Sequence, residues 1–262
     1  MARFCTLFSG SSGNCTYIGS GSGGILIDVG VSAKKINLAL EQIGVDRSEI
    51  KAIFITHEHS DHISGLKTIS KNWDIPIYAS AATAASLESS DKICPTTNIN
   101  IIDETAIDIN NMVVSRFTTL HDCAGSSGYT ITLPDGTKSV VCTDLGIVTD
   151  EVRTALTGCN IVMLESNHDV NMLENGPYPY VLKRRILGDN GHLSNASCAI
   201  ELPSLVNNGT TRIVLAHLSR ENNHPEIVRV TARASLIDNG MVEDSDYLLN
   251  IASPFGNKMI IY

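Results

Sequence analysis

The sequence lacks the features that mark membrane-spanning, secreted and zinc-ribbon proteins. Its apolar runs all fall short of the ~18 residues that a membrane-spanning helix needs. The first residues turn polar before an apolar signal-peptide core could form. The seven cysteines are scattered and form no Cys-x-x-Cys pair, which indicates small buried side chains in a reduced compartment. We therefore expect a soluble, cytoplasmic protein with no membrane partner.

Positive charge is scarce as well. Lys and Arg together number 19 against 28 Asp and Glu, which gives a net charge of −9 at pH 7. This balance excludes the simplest kind of nucleic-acid binder, a chain that is basic overall. A local basic patch remains open, and the run Lys183-Arg184-Arg185 is one candidate for contacts with phosphates. Charge runs of this kind are more often solvated helix faces.

The composition predicts a well-packed globular fold. The chain has 262 residues, of which 43% are hydrophobic and 18% charged. A chain of this length buries roughly 70–75% of its unfolded surface and needs no disulfide or metal to fold. Its length allows one large domain or two small ones. No internal repeat or low-complexity linker interrupts it, so we predict a single domain over residues 1–262.

Short β-branched runs alternate with amphipathic helical stretches along the chain. Helices are predicted at 32–44, from 63 to about 73, between the strands at 75–79 and 98–102, and at 225–238. The predicted strands lie at 3–8, 15–18, 23–30, 51–56, 75–79, 98–102, 106–120, in a hairpin over 130–144, and at 160–166, 211–218, 247–252 and 258–262. Some twelve strands interleaved with helices predict a layered α/β protein with two mixed sheets.

One segment concentrates metal-ligating side chains. Residues 57–62 read His-Glu-His-Ser-Asp-His and directly follow a strand that is apolar throughout. In an extended loop, His57 and His59 face the same way, while Asp61 and His62 turn back towards a second point. A polar surface turn is the alternative interpretation, but it gives no reason for three of the chain's eight histidines. The segment therefore predicts a metal site.

Further ligands are expected at the ends of other strands. His121, Asp144 and His217 each stand just past an apolar run, where a rigid strand can support a projecting side chain. A single histidine after a strand is more often structural. Together and in this order, the three residues predict additional ligands.

This pattern resembles the metallo-β-lactamase superfamily, whose fold is an αββα sandwich of two mixed β-sheets flanked by helices. The resemblance covers nearly the whole chain and includes Leu-Ile-Asp-Val-Gly at 26–30, which matches the superfamily's first motif at Asp28. It implies two divalent metal ions per chain. One ion would be held by His57, His59 and His121 and the other by Asp61, His62 and His217, with Asp144 bridging the two.

The metal itself is left open by the ligand types. Imidazole-rich sites favour zinc, whereas the mixture with two carboxylates also suits manganese or iron, and magnesium is a further candidate. A bridging carboxylate fits the charge balance, because two dications held close together need anionic neighbours.

Several branches of the superfamily disagree with the sequence. β-Lactamases tend to use Cys where this chain has Asp144, and diiron relatives use Glu where it has His59. Only 72 residues separate Asp144 from His217, too few for the inserted cap domain of the RNA-processing β-CASP branch.

The late motifs resemble those of phosphodiesterase branches such as transfer-RNA 3′-end processing enzymes. Segments 164–169, 191–195 and 216–223 carry this likeness, and Glu165 and His192 match positions that help the leaving group depart. The long arm that grips transfer RNA is not apparent. The YycJ (WalJ) type of bacterial nuclease is a closer match, which implies metal-dependent hydrolysis of DNA, in the 5′-to-3′ direction.

The implied mechanism is attack of a metal-bridging hydroxide on phosphorus. Asp61 would help to orient the nucleophile, and His192, oriented by Glu165, would donate a proton to the leaving oxygen. The alternative for His192 is a place at a helix N-terminus, with Asn195 as the cap. His168 and Asp169 are expected to support the ligands from behind.

Substrate contacts are predicted in two places. The Gly/Ser loop at 9–14 could present backbone N–H groups to a phosphate, with Ser9, Ser11 and Asn14 as its polar residues. A plain turn between two strands explains this loop equally well. Ser194 and Arg220 lie beside the late motifs and complete the predicted substrate contacts.

Three other functions stay open. A thioester or lactone hydrolase could use the same metals, and so could a phosphodiesterase directed at RNA. A regulatory or scaffold protein could keep the metals for stability alone, although a structural site needs no open coordination position. No protein partner can be identified from the sequence.

Overall fold

The computed structural model describes residues 2–21, 23–256 and 258–262. Within these ranges the chain forms fourteen strands, one more than the ranges predicted from the sequence, because residues 106–120 form two. The strands are β1 (Arg3–Phe8), β2 (Cys15–Ser20), β3 (Gly23–Ile27), β4 (Ile50–Phe54), β5 (Ile77–Ala79), β6 (Ile99–Ile101), β7 (Ile107–Ile109), β8 (Met112–Thr118), β9 (Ser127–Thr132), β10 (Lys138–Cys142), β11 (Ile161–Glu165), β12 (Arg212–Ala216), β13 (Leu248–Ile251) and β14 (Ile260–Ile261).

Nine α-helices occur in the same described ranges. They are α1 (Ala33–Gln42), α2 (Ser60–Ile63), α3 (Leu66–Asn72), α4 (Ala81–Ser89), α5 (Asp150–Leu156), α6 (Val170–Asn175), α7 (Tyr180–Leu187), α8 (Asn195–Asn207) and α9 (Pro225–Asp238). None of these helices combines the length and apolar character that crossing a membrane requires.

The described strands form two seven-stranded sheets, and both are mixed. The first has the order β14-β1-β2-β3-β4-β5-β6, with antiparallel pairing from β14 to β3 and parallel pairing from β3 to β6. The second has the order β13-β12-β11-β10-β9-β8-β7; β10 to β13 are parallel and β7 pairs antiparallel with β8. The prediction of two mixed sheets flanked by helices is confirmed.

The chain divides into two compact units. Unit 1 comprises the described parts of Met1–Arg116, Cys123–Thr137 and Ser253–Tyr262, and unit 2 comprises Phe117–Asp122 and Lys138–Ala252. Each has an apolar cluster of its own. The single domain over 1–262 stays a prediction.

Helix α1 shows how unit 1 builds its core from local sequence signals. The side chain of Ser32 accepts a hydrogen bond from the backbone of Lys35, as predicted for an N-cap. The helix buries Ile36 and Leu40 in the cluster that covers one side of β1–β4. Helix α9 plays a similar part in unit 2, where Val228, Ala232 and Leu236 are buried.

Two sequence predictions were wrong in detail. Residues 106–120 form a hairpin rather than one strand, because Asn110 and Asn111 adopt left-handed backbone angles (φ 53° and 65°) between β7 and β8. Asparagine tolerates this region better than most residues. Helices α5 to α8 were not predicted as such.

Helix α8 escapes prediction because it contains Pro203. A proline in a helix removes the N–H that would bond the carbonyl four residues back, here that of Ala199. In the folded chain the Ser235 hydroxyl of α9 donates to that carbonyl at 2.7 Å. A contact from another helix thus offsets the lost bond, and no local pattern reveals it.

Candidate metal centre

Unit 1 carries the predicted ligands of segment 57–62. The backbone is extended at His59 and then turns into α2, as predicted. The ring of His57 lies 4.6 Å from that of His59 and 4.1 Å from that of His62, measured between centroids. His57 and His62 are buried, whereas His59 and Asp61 are partly exposed. The segment therefore brings its three imidazoles together.

Asp28 orients these imidazoles from behind. It follows β3 with a left-handed φ of 61°, which is uncommon outside glycine and marks strain held by the surroundings. Its Oδ2 lies 2.7 Å from His62 Nδ1, and its carboxylate accepts hydrogen bonds from the backbone and hydroxyl of Thr56. Thr56 Oγ1 lies 3.0 Å from His57 Nδ1. Sequence reasoning missed Thr56, which links Asp28 to a second histidine.

Asn14 ties the Gly/Ser loop to the same segment. Its Oδ1 accepts from the backbone of Gly10, and its Nδ2 lies 3.3 Å from Asp61 Oδ2 and 3.0 Å from His62 Nε2. The backbone N–H of Asn14 donates to the Asp61 carbonyl at 2.7 Å. A Cβ on Gly30 would stand 1.7 Å from that same carbonyl oxygen, so the approach needs glycine there.

The other loop residues differ in exposure. Ser9 is buried and Ser11 is exposed. Asn14 is hydrogen-bonded to Gly10 and Asp61. Binding of substrate by Ser9, Ser11 and Asn14 stays a prediction.

Unit 2 carries ligands at the ends of separate strands. Asp144 follows β10, Glu165 ends β11 and His217 follows β12, while His192 lies in the loop before α8. Each of the four offers one ligand atom within 4.8 Å of the others. Asp144 and His217 have left-handed φ angles of 60° and 58°. Two of the four thus sit at strained strand ends, which is typical of functional sites.

Glu165 is the buried anchor of this cluster. Its Oε1 lies 2.9 Å from His192 Nδ1 and 2.7 Å from His217 Nδ1, and its Oε2 accepts from the backbone N–H groups of Leu145 and Leu193. Burial alone would raise the pKa of Glu165, but the two imidazoles outweigh it and lower the pKa to about 2. A carboxylate satisfied on both oxygens stays ionised and fixes two rings at once.

His192 and His121 differ in the groups that surround them and in the direction in which their pKa is shifted. Burial would lower the pKa of His192, but the Glu165 carboxylate raises it above the usual value. His121 Nδ1 lies 2.9 Å from the Gly191 carbonyl, and its Nε2 lies 3.8 Å from Asp144 Oδ1. Burial lowers the pKa of His121 and favours the neutral ring that binds metals.

A network of buried amides holds the loops that carry His192 and His217. Asn223 Nδ2 donates to the carbonyls of Ser166 and Asn167 and to Asn195 Oδ1, and Asn195 Nδ2 donates back to Asn223 Oδ1. Asn167 Nδ2 donates to the His217 carbonyl at 2.8 Å. This contact supports the strained backbone of His217. Sequence reasoning missed the network, because its members act through loops far apart in sequence.

The residues around α8 correct one expectation. The cap of α8 is Ser194, whose Oγ accepts from the Ser197 N–H, and Asn195 is the first residue of the helix. Asn195 as the cap was therefore wrong. Arg220 is exposed, and its contact with substrate stays a prediction, as does that of Ser194.

His168 and Asp169 follow β11 and differ in their surroundings, and their support of the metal ligands stays a prediction. Asp169 caps α6 through the N–H of Met172. His168 is buried, and burial lowers its pKa to about 4.

The predicted imidazole ligands fit metal ions. Each of four rings has Nδ1 within hydrogen-bond distance of an oxygen: His57 at Thr56, His62 at Asp28, His121 at Gly191 and His217 at Glu165. Metal-ligating histidines commonly donate one ring N–H to a carboxylate, carbonyl or similar group, which fixes the tautomer. This contact at Nδ1 assigns ligation to Nε2. The donor set therefore suits metal binding in both units.

A sequence profile of the metallo-beta-lactamase superfamily matches residues 9–217. This chain belongs to that superfamily. The match extends from the Gly/Ser loop to the histidine that follows β12, and it confirms the fold and the family predicted from the motifs. As a member of this superfamily the protein is a hydrolase, and its His and Asp clusters fit the two-metal site of the fold.

Two relatives are similar over most of their length. Exodeoxyribonuclease YycJ of Bacillus anthracis is 35% identical over 239 residues, which is 91% of this chain and 90% of that protein. Exodeoxyribonuclease WalJ of Streptococcus pneumoniae is 33% identical over 258 residues, 96% of this chain and 94% of that protein. Among solved structures, the metallo-beta-lactamase fold protein YhfI of Bacillus subtilis has a TM-score of 0.70 at 15% identity and covers 99% of this chain and 100% of its own. This last likeness shows the fold alone.

Proposed function

We propose that this superfamily hydrolase is a metal-dependent exonuclease that degrades DNA in the 5′-to-3′ direction. The observation that carries the proposal is the pairing of His192 with buried Glu165 at 2.9 Å. Hydrolysis of a phosphodiester needs a proton for the departing alkoxide, and a carboxylate-held imidazole supplies one. The names of the two relatives, both exodeoxyribonucleases, support the same substrate.

Seven residues would hold the two divalent ions, with zinc or manganese as the first candidates and magnesium or iron as others. They are His57, His59, Asp61, His62, His121, Asp144 and His217. When bound, such ions lower the pKa of water and stabilise the oxygens that attack and leave. Asp28 and Glu165 keep the ligand rings in the tautomer that binds metal.

His192 is the proposed general acid. Its Nδ1–H donates to Glu165, so Nε2–H is the proton that can pass to the leaving oxygen as the P–O bond breaks. Because Glu165 raises the pKa of His192, the ring keeps this proton at neutral pH better than an ordinary histidine. Asp61, held by Asn14, would orient the attacking water.

The test uses metal-stripped protein and linear duplex DNA labelled at either the 5′ or the 3′ end. Manganese, zinc or magnesium is added back, and the His59→Ala variant runs alongside. We expect metal-dependent release of nucleotides from the 5′ end, absent in the variant. Release from the 3′ end would overturn the direction, and equal loss from RNA would overturn the preference for DNA.

A second assay, with acyl substrates, tests the main alternative function, hydrolysis of a thioester or lactone. A thioester and a lactone are offered under the same metal conditions. Rapid acyl hydrolysis with no loss of DNA under any metal would leave the fold standing and contradict the proposed substrate. If the protein turns over neither kind of substrate while chelation lowers its Tm, the metals serve stability alone.

A further inference from the structure

Helix α7 presents an exposed face whose side chains are of the types that proteins use to bind single-stranded nucleic acid. Tyr180, Arg184 and Leu187 recur at i, i+4 and i+7 and so share one side of the helix. Tyr180 is 72% exposed and Leu187 44%, and Arg184 is exposed as well. The hydroxyl of Tyr180 lies 3.5 Å from Arg184 Nη1. An exposed aromatic ring beside a guanidinium is a stacking and phosphate-binding pair.

The charge on this helix contrasts with the rest of the chain. The eight residues of α7 include three basic and no acidic ones, in a protein whose net charge is −9. Arg185 is already engaged by the carboxylate of Asp122, and Lys183 Nζ donates to the backbone carbonyl of Glu174. Within residues 2–21, 23–256 and 258–262, no carboxylate pairs with Arg184. Its charge is therefore available to a phosphate.

The helix ends against the segment that carries His192. The His192 N–H donates to the Ile186 carbonyl at 3.0 Å, and a Cβ on Gly191 would stand 2.2 Å from that same oxygen. The end of α7 and the proposed general acid are thus held in fixed register. From Leu187 back to Tyr180 the face runs about 10 Å, since an α-helix rises 1.5 Å per residue.

We propose that α7 guides a single strand of DNA towards His192, with the Tyr180 ring stacked on an unpaired base and Arg184 bound to a phosphate. The inference rests on the proposed nuclease function and adds a strand-binding surface to it. Every base has a π-face, so such stacking is tolerant of sequence, as an exonuclease requires. A stacked strand rises about 3.4 Å per nucleotide, so the face of α7 from Tyr180 to Leu187 matches about three nucleotides.

Binding is measured first, by fluorescence anisotropy with a single-stranded phosphorothioate oligonucleotide that resists hydrolysis. We expect Tyr180→Ala to raise Kd about ten-fold, the change that a stacking free energy of about 1.4 kcal/mol produces. Tyr180→Phe keeps the ring and is expected to bind like the wild type. Arg184→Gln should reduce the slope of log K against log salt by about 1, whereas Lys35→Gln, which removes another exposed charge, on α1, should not.

Kinetics distinguish this inference from the proposed function. Tyr180→Ala should lower kcat/KM about ten-fold on an eight-nucleotide strand and leave hydrolysis of bis(p-nitrophenyl) phosphate unchanged, because that diester carries no nucleotide strand to lie along α7. Unchanged binding and unchanged kcat/KM in Tyr180→Ala and Arg184→Gln would overturn the inference while wild-type DNA hydrolysis stands. If the wild type hydrolyses neither substrate under any metal, the proposed function itself fails.

Discussion

The two units build their share of the ligands in different ways. Unit 1 offers four predicted ligands from one continuous segment, 57–62, and orients them through Asp28 and Thr56. Unit 2 offers residues from separate strand ends and loops, held by Glu165 and by an amide network around Asn223. A continuous segment brings its ligands together by its own turn, and a few side chains then suffice to orient them. Dispersed ligands depend on a buried scaffold, and substitutions in that scaffold should therefore affect stability as well as chemistry.

The largest effects are expected at the ligands themselves, in either unit. His59→Ala and Asp144→Ala should lower kcat by at least about 10³-fold with little change in Tm, because each removes a group that metal chemistry requires. The measurement is DNA turnover together with thermal unfolding. His224→Ala is the control: this exposed histidine caps α9, is not among the predicted ligands and should keep full activity. Normal turnover in His59→Ala or Asp144→Ala would remove that residue from the site.

The next largest effects distinguish the role of His192 from that of Glu165. His192→Ala should slow turnover by about 10²–10⁴-fold, the range of general acid catalysis, with metal content unchanged. Glu165→Gln should also weaken metal binding by about 10–100-fold, because it disturbs His217 as well as His192. Metal content by mass spectrometry and kcat for each variant decide between the roles. Loss of metal in His192→Ala would make this residue a ligand instead.

The comparison of scaffolds is tested by one substitution in each unit. Asn223→Ala leaves several buried carbonyl and amide groups without a hydrogen-bond partner and should lower the free energy of unfolding by about 3 kcal/mol. Thr56→Val removes a single hydroxyl and should cost about 1 kcal/mol, while weakening metal binding. Urea unfolding gives both values. Asn208→Ala, at an exposed helix end, is the control and should change little. Equal costs in the two units would contradict the comparison.

The last expected effect is a dependence of stability on acid. The pKa of buried His168 is about 4 in the folded state against a usual 6.5, so between these values the unfolded state binds the extra proton. Stability is fully present above pH 6.5 and is lost as pH falls. His168 should contribute a loss of about 2 kcal/mol between pH 7 and pH 5. His168→Gln should show a flatter pH profile in urea unfolding, and a profile as steep as the wild type's would exclude this origin.

Residues whose role depends on local sequence could be predicted, whereas residues whose role depends on distant contacts could not. Segment 57–62 could be identified from the sequence because ligand types and spacing are local, and the residues past apolar runs could be named because strands end there. Thr56, Asn167 and Asn223 could not be, since their roles arise from contacts across tens of residues. Helix α8 was missed for a similar reason, because Ser235 of another helix satisfies the carbonyl that Pro203 leaves open.

We propose that two metal ions on these ligands drive hydrolysis of DNA from its 5′ end. This proposal is tested by adding manganese in measured equivalents to metal-free protein and following nucleotide release from 5′-labelled duplex DNA. We expect release that rises with added metal and reaches a plateau at two ions per chain. Release that is undiminished in the metal-free protein, or absent at every ratio with manganese and zinc alike, would contradict it.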